Sequence, residues 1–198
     1  MSVLRSVALI TAMAVGAVTA SAQGGYGPGA AKPAKPNSPA HNIAVNKDNK
    51  ASQENNDEFM SFDAASKTVK LQITAALGST NGGMNFNGGA KGSQTVTVPE
   101  GWTVNMHFVN KDAIPHSAII IAKQDPLPVI PQDPAIPRAY TSHVTDGLPT
   151  DGTDDTTFKV SKAGNYVMVC GVPGHGPSGM WINFVVSADA KEPSYAMK

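Results

Sequence analysis

Tyr166-Val-Met-Val-Cys170-Gly-Val-Pro-Gly-His175-Gly-Pro-Ser-Gly-Met180-Trp-Ile-Asn-Phe-Val-Val186 can be read for fold and for chemistry together. On its left flank Tyr166, Met168 and Cys170 fall on alternate positions, and on its right flank Met180, Ile182, Phe184 and Val186 do the same. Period-2 alternation marks strands with one face buried, so the stretch predicts two neighbouring strands joined by a short Gly- and Pro-rich loop. Cys170 ends one inward-facing row and Met180 starts the other. Both sulfurs are therefore aimed into the same end of a sheet domain, with His175 between them on the loop. A thiolate, an imidazole and a thioether in the pattern Cys-x4-His-x4-Met are three ligands for one soft metal ion.

Cys170 is the one cysteine in the chain, which excludes an internal disulfide, a four-thiolate zinc site and a thiolate-bridged two-copper centre. A lone thiolate with imidazole and Met suits copper of the electron-transfer type: two His and one Cys in a trigonal plane, with a long axial Met. A second His is needed. Of the remaining histidines, His41 lies in a low-complexity segment and His143 in a Pro-rich insertion, where a solvated His is the ordinary reading. His107 belongs to a strand Trp102 to Asn110 whose inward row is Trp102, Val104, Met106 and Phe108, so it points the other way. His116 follows the loop Lys111-Asp-Ala-Ile-Pro115 and stands at the mouth of the apolar strand Ala118 to Ile121, where a rigid element can hold an imidazole. It is the expected fourth ligand, beside Cys170, His175 and Met180.

Alternating runs also occur at Thr68 to Thr74, Gln94 to Val98 and Thr156 to Val160, with Phe59 to Phe62 a strand or short turn and Met84 and Phe86 a short apolar pair. No segment after the N-terminus shows a sustained 3.6-residue apolar pattern. Seven or eight short strands with turn signals between them predict an all-β, antiparallel Greek-key β-sandwich. Between Lys123 and Asp155 six prolines and little periodicity mark a long insertion, read as a surface loop of polyproline character in preference to a docking arm.

Residues 1–22 combine Arg5, an apolar run from about Val7 to Val18 and Ala20-Ser-Ala22, the pattern of a secretory signal peptide. The run is short of the roughly 20 residues a spanning helix needs. Residues 23–58 read as a flexible Gly/Pro-rich tether, 59–188 as the folded domain and 189–198 as a C-terminal tail. Arg5 is the one charged side chain before Gln23, leaving 14 basic against 15 acidic residues in the remainder, a formal charge near −1. Such a chain lacks the basic surface that nucleic acid requires. The expectation is an exported monomer, periplasmic or extracellular, membrane-anchored if the signal is retained.

Asn110-Lys-Asp-Ala-Ile-Pro-His116-Ser and Cys170-x4-His175-x4-Met180 together resemble the ligand stretches of the cupredoxin, or blue copper, family. Within it, Val169-Cys-Gly-Val-Pro-Gly-His175, Ser178-Gly-Met-Trp181 and Asn85-Phe-Asn-Gly-Gly89 look most like sulfocyanin and more loosely like rusticyanin, over about residues 59–188. Sulfocyanins are often held to the membrane by an uncleaved N-terminal helix, from which the Ala20-Ser-Ala22 pattern departs. The resemblance implies one type 1 copper per chain alternating between Cu(I) and Cu(II), no substrate turnover, a cytochrome-type donor and a terminal oxidase as acceptor. Partners would dock near His175, whose loop is Gly-rich and uncharged.

Around the four ligands, Ser117 is placed to pin the His116 loop to the Cys170 loop, and the backbone N–H of Gly171 or Val172 to reach the sulfur. Asn110 opens the Asn110-Lys-Asp-Ala-Ile-Pro-His116 stretch; Val172, Pro173, Pro177, Trp181, Met84 and Phe86 are candidates for a dry rim. Low polarity there disfavours the more highly charged Cu(II), which implies a relatively high reduction potential. Three other chemistries use some of these residues. A Cys-His hydrolase would leave Met180 without a role. A copper oxidase or nitrite reductase would need a second, His-rich copper site, and His41, His107 and His143 show no His-x-His pairing. A copper storage or delivery protein fits the ligands, though delivery sites favour exposed Met or Cys clusters over strand-held ones.

Overall fold

Alternation along the chain builds two sheets that bury their apolar rows against each other. The computed structural model describes residues 58–131 and 133–198. The signal peptide, His41 and nearly all of the tether lie outside the described residues. Nine strands occur among them: β1 (Met60–Asp63), β2 (Thr68–Ala75), β3 (Gln94–Pro99), β4 (Thr103–Asn110), β5 (Ile119–Ala122), β6 (Thr153–Lys159), β7 (Gly164–Val169), β8 (Trp181–Ser187) and β9 (Ser194–Met197). One sheet has the order β1-β2-β4-β6 and the other β5-β7-β8-β3-β9. Val69, Leu71 and Ile73 of β2, Val104, Met106 and Phe108 of β4, and Ile182, Phe184 and Val186 of β8 meet between them, all essentially excluded from solvent.

The two-sheet sandwich stands as the sequence predicts, and both sheets are mixed. β2 pairs parallel to β4, and β3 parallel to β8. The chain passes from β2 in one sheet to β3 in the other and back to β4, so β2 and β4 become neighbours without a hairpin. Alternation records which face a residue takes, not the direction of its neighbour, and the parallel pairs are invisible to it.

Two boundaries differ from expectation. The residues read as a tail include β9, which pairs antiparallel to β3 and closes that sheet's edge. Its single inward side chain, Tyr195, donates a hydrogen bond to Gln94 Oε1 at 2.7 Å and packs against Phe59 with ring centroids 5.6 Å apart. One buried residue in four is too little pattern to register as a strand. The Pro-rich insertion also ends earlier than Asp155, because β6 begins at Thr153.

That insertion does more than cross the surface. It pairs with the open edge of β5: Ala135 N donates to Ile120 O and Ile120 N to Ala139 O, both at 2.9 Å, and Ala118 N donates to Thr141 Oγ1 at 3.0 Å. Ile136, Ala139 and Leu148 enter the main core. An unpaired sheet edge is a liability, and here the insertion covers it.

Candidate metal centre

β7 and β8 form a hairpin whose loop, residues 170–180, lies at one end of the sandwich. Cys170 N donates to Met180 O at 3.0 Å, which closes the loop base and keeps both residues on their inward rows. Both are fully buried, in the main core. Met180 N then donates to His175 O, and His175 N to Val172 O, which folds the imidazole back over the sulfur.

His116 enters from the segment between β4 and β5. It is fully buried, and its backbone pairs with Leu148 of the insertion. Its Nδ1 lies 3.8 Å from Cys170 Sγ and 3.2 Å from His175 Nδ1, and His175 Nδ1 lies 3.5 Å from the sulfur. The structure thus brings His116, Cys170 and His175 together, the one such trio of potential ligands among the described residues. A point equidistant from three atoms so spaced lies about 2 Å from each, and zinc, a comparable first-row ion, sits about 2.0–2.3 Å from imidazole nitrogen and thiolate sulfur. Two nitrogens, one sulfur and a buried thioether fit copper better than zinc or a hard cation.

Burial favours the uncharged forms of Cys170 and His175. Burial pushes the Cys170 thiol above its usual range, partly offset by the Ser117 and Val172 backbone amides. Burial, and then the neighbouring His116, push His175 below its usual value, keeping its nitrogen lone pair available. Asp112 is held below the usual carboxylate range chiefly by its hydrogen bond with His116, whose Nε2 lies 2.9 Å from Asp112 Oδ2.

The loop is tied down from outside at several points. Gly171 N donates to Ser117 Oγ at 3.0 Å, and that hydroxyl donates to Val144 O at 2.6 Å, so Ser117 joins the His116 segment, the Cys170 loop and the insertion. Gly174 N donates to Val129 O, Asn81 Nδ2 to Ser178 O, and Lys91 N to Gly179 O. Gly171 has no room for a side chain: a Cβ there would lie 2.3 Å from Val144 Cγ1 and 2.7 Å from Val144 O. Of the two amides proposed for the sulfur, that of Gly171 turns to Ser117 Oγ and that of Val172 bonds the sulfur, joined by Ser117 N at 3.5 Å.

The other candidates fall into place around this centre. Asn110 is buried, donates to Ile114 O and Leu148 O at 2.9 Å, and accepts from Asp112 N, which shapes the loop that presents His116. Phe86 is buried in the main core against Phe108, and Val172 and Met84 pack at its margin. Trp181 lies on the opposite face of β8, packed with Ile119, Ile121, Val167 and Val169 under Leu127 of the insertion. Pro173 and Pro177 are exposed. His107 is remote in the fold, on the outer face of β4 with Nδ1 2.7 Å from Asp155 Oδ1, and His143 is exposed on the insertion. Asp112 is the partner that residue reading passed over; its signal was the spacing of four to His116.

Residues 55–197 match the sulfocyanin (SoxE) domain. Sulfocyanin of Sulfolobus acidocaldarius is 31% identical over 139 residues, covering 67% of this chain and 70% of the relative. Rusticyanin of Acidithiobacillus ferrooxidans is 36% identical over 102 residues, which is 48% of this chain and 51% of the relative. A crystal structure of reduced rusticyanin aligns with a TM-score of 0.46 and 28% identity, over 61% of this chain and 85% of that one. With the domain match spanning most of its length, the chain belongs to the sulfocyanin family of blue copper proteins.

Proposed function

We propose that this chain is a single-electron carrier holding one type 1 copper, with the Cys170 thiolate, His116 and His175 as the strong trigonal ligands and Met180 as the weak axial contact. The observation that carries the reading is the trio of donor atoms separated by 3.2–3.8 Å at the buried end of the sandwich, with a fully buried Met180 beside them. A copper ion bound there supplies a Cu(II)/Cu(I) couple.

The protein's own residues decide how well that couple works. Sulfur donors suit Cu(I) and nitrogen donors Cu(II), so a ligand set that does not move between the two costs little to oxidise or reduce. The bonds from Ser117, Val129, Asn81 and Lys91 hold the loop from outside. Cys170, His116 and Met180 are sealed from water, while His175 is only half-buried. Its edge is the electron port, set in a loop whose flanking glycines let a partner approach closely. The buried surroundings favour the less charged Cu(I) and raise the reduction potential. Export by residues 1–22, a place outside the cytoplasm, a monomeric state, and respiratory partners, a cytochrome donor and a terminal oxidase acceptor, complete the proposal. They are supported by the N-terminal pattern and by the family.

A potentiometric titration of the copper-loaded chain tests it. Reversible uptake of one electron per chain, at a potential in the upper part of the blue-copper range, is expected. Copper that cannot be cycled, or that leaves on reduction, would favour storage or delivery instead.

A further inference from the structure

His116 and His175 face the sulfur with the same ring nitrogen, but their far nitrogens are treated differently. His116 Nε2 is 2.9 Å from Asp112 Oδ2, whereas no carboxylate pairs with His175 among the described residues. The carboxylate is itself held in place. Asp112 Oδ1 accepts from Ala113 N at 2.7 Å, Asp112 N donates to Asn110 Oδ1 at 2.9 Å, and a Cβ on Gly83 would lie 3.1 Å from Asp112 Oδ2. Asn110 is anchored in turn to Ile114 O and Leu148 O. The chain of contacts runs from the buried Asn110 amide to the Asp112 backbone, and from the Asp112 carboxylate to the far side of a buried imidazole.

A neutral imidazole carries one proton, on one nitrogen or the other. A carboxylate accepts that proton's hydrogen bond and cannot donate one. We infer that Asp112 is a positioning residue that keeps the His116 proton on Nε2, so that the Nδ1 lone pair faces Cys170 and His175 before any metal arrives. The inference rests on the ligand roles proposed above. The carboxylate charge adds a second effect: it favours Cu(II), through a direct hydrogen bond at His116 and only through space at His175. The site is therefore asymmetric, with one imidazole held in tautomer and orientation by a carboxylate, and the other held by its loop.

Nitrogen-15 NMR of the histidine rings in the metal-free chain reads the tautomer directly, and His116 is expected as the Nε2–H form with slow proton exchange. Asp112→Asn keeps an oxygen to accept the bond and removes the charge, so the tautomer should persist while the reduction potential of the copper-loaded chain rises. Asp112→Ala removes both, and should mix the tautomers and lower Cu(II) affinity by about 10- to 100-fold. Unchanged potential in Asp112→Asn, together with unchanged tautomer and affinity in Asp112→Ala, would overturn the role. The two readings fail separately. A proton on His116 Nδ1 in the unsubstituted metal-free chain overturns the positioning role even if that chain turns blue with copper. An Nε2–H tautomer in a chain that gives no thiolate–copper absorption overturns the copper reading.

Discussion

The segment that presents His116 and the loop that presents His175 deliver the same Nδ1 atom to Cys170 Sγ, at 3.8 and 3.5 Å, by opposite means. His116 is sealed in the core, follows a loop shaped by Asn110, and leans on Asp112. His175 sits half-buried on a glycine-flanked turn whose restraints are backbone hydrogen bonds. The carrier proposed above would use both kinds of region: an imidazole locked from behind to fix the geometry, and one that reaches the surface to let an electron leave. The difference teaches that restraint at this end of the sandwich is distributed unequally between the two imidazoles, in favour of the one sealed from solvent.

Substitution of the two histidines should separate them most widely. His116→Ala opens a cavity and strands Asp112, so a loss of about 3 kcal/mol in unfolding free energy is expected, together with loss of the copper site. His175→Gly should cost about 1 kcal/mol or less of stability and leave an open coordination position that added imidazole refills. Denaturant melts of the metal-free variants and visible spectra with imidazole check this; equal destabilisation would break the contrast.

Gly171→Ala probes the seam between the regions, because a methyl there meets Val144 Cγ1 and Val144 O. A loss of about 1–3 kcal/mol is expected, with a shifted copper spectrum in whatever folds. A methyl accepted without cost would mean that the insertion yields at Val144.

Acid should act on the His175 side first. The folded value of His175 lies below its ordinary 6.5, so the unfolded chain takes up the proton first as pH falls. The associated stability is present above about 6.5 and is lost as pH falls through the lowered folded value. Asp112, also lowered, contributes stability present above its ordinary 3.8 that is lost only further into acid. Cys170 acts oppositely: its raised value means that metal uptake near neutral pH must expel the thiol proton, so copper affinity should rise with pH to beyond 9.0. Chelator competition at several pH values checks that slope, and a flat profile would contradict a protonated thiol in the metal-free chain.

Ser117→Ala should give the smallest effect. It removes the acceptor for Gly171 N and the bond to Val144 O, while the Ser117 backbone amide still points at the sulfur. About 1 kcal/mol of stability should be lost, with a modest change in potential. No change in either would mean that the remaining loop bonds suffice.

The sequence was most informative where one residue answers one question. Inward parity put Cys170 and Met180 at the same end of the sandwich, and the demand for a second imidazole selected His116 over the outward-facing His107. Pairing partners were less accessible. The parallel β2–β4 and β3–β8 neighbours follow from long-range topology, which period-2 patterns do not encode. The same holds for the insertion's pairing with β5, made largely by backbone groups of residues with no alternation. β9 escaped notice because Tyr195 is its one buried residue. Asp112 was in plain view in the loop before His116, marked only by its spacing of four from that ring.

The most direct test is a visible absorption titration of the metal-free chain with Cu(II), alongside Cys170→Ala. An intense blue or green band that saturates at one copper per chain and is absent from the variant is the expected result. A colourless protein, or weak absorption indifferent to Cys170, would contradict a thiolate–copper centre and leave the sandwich without the task proposed for it.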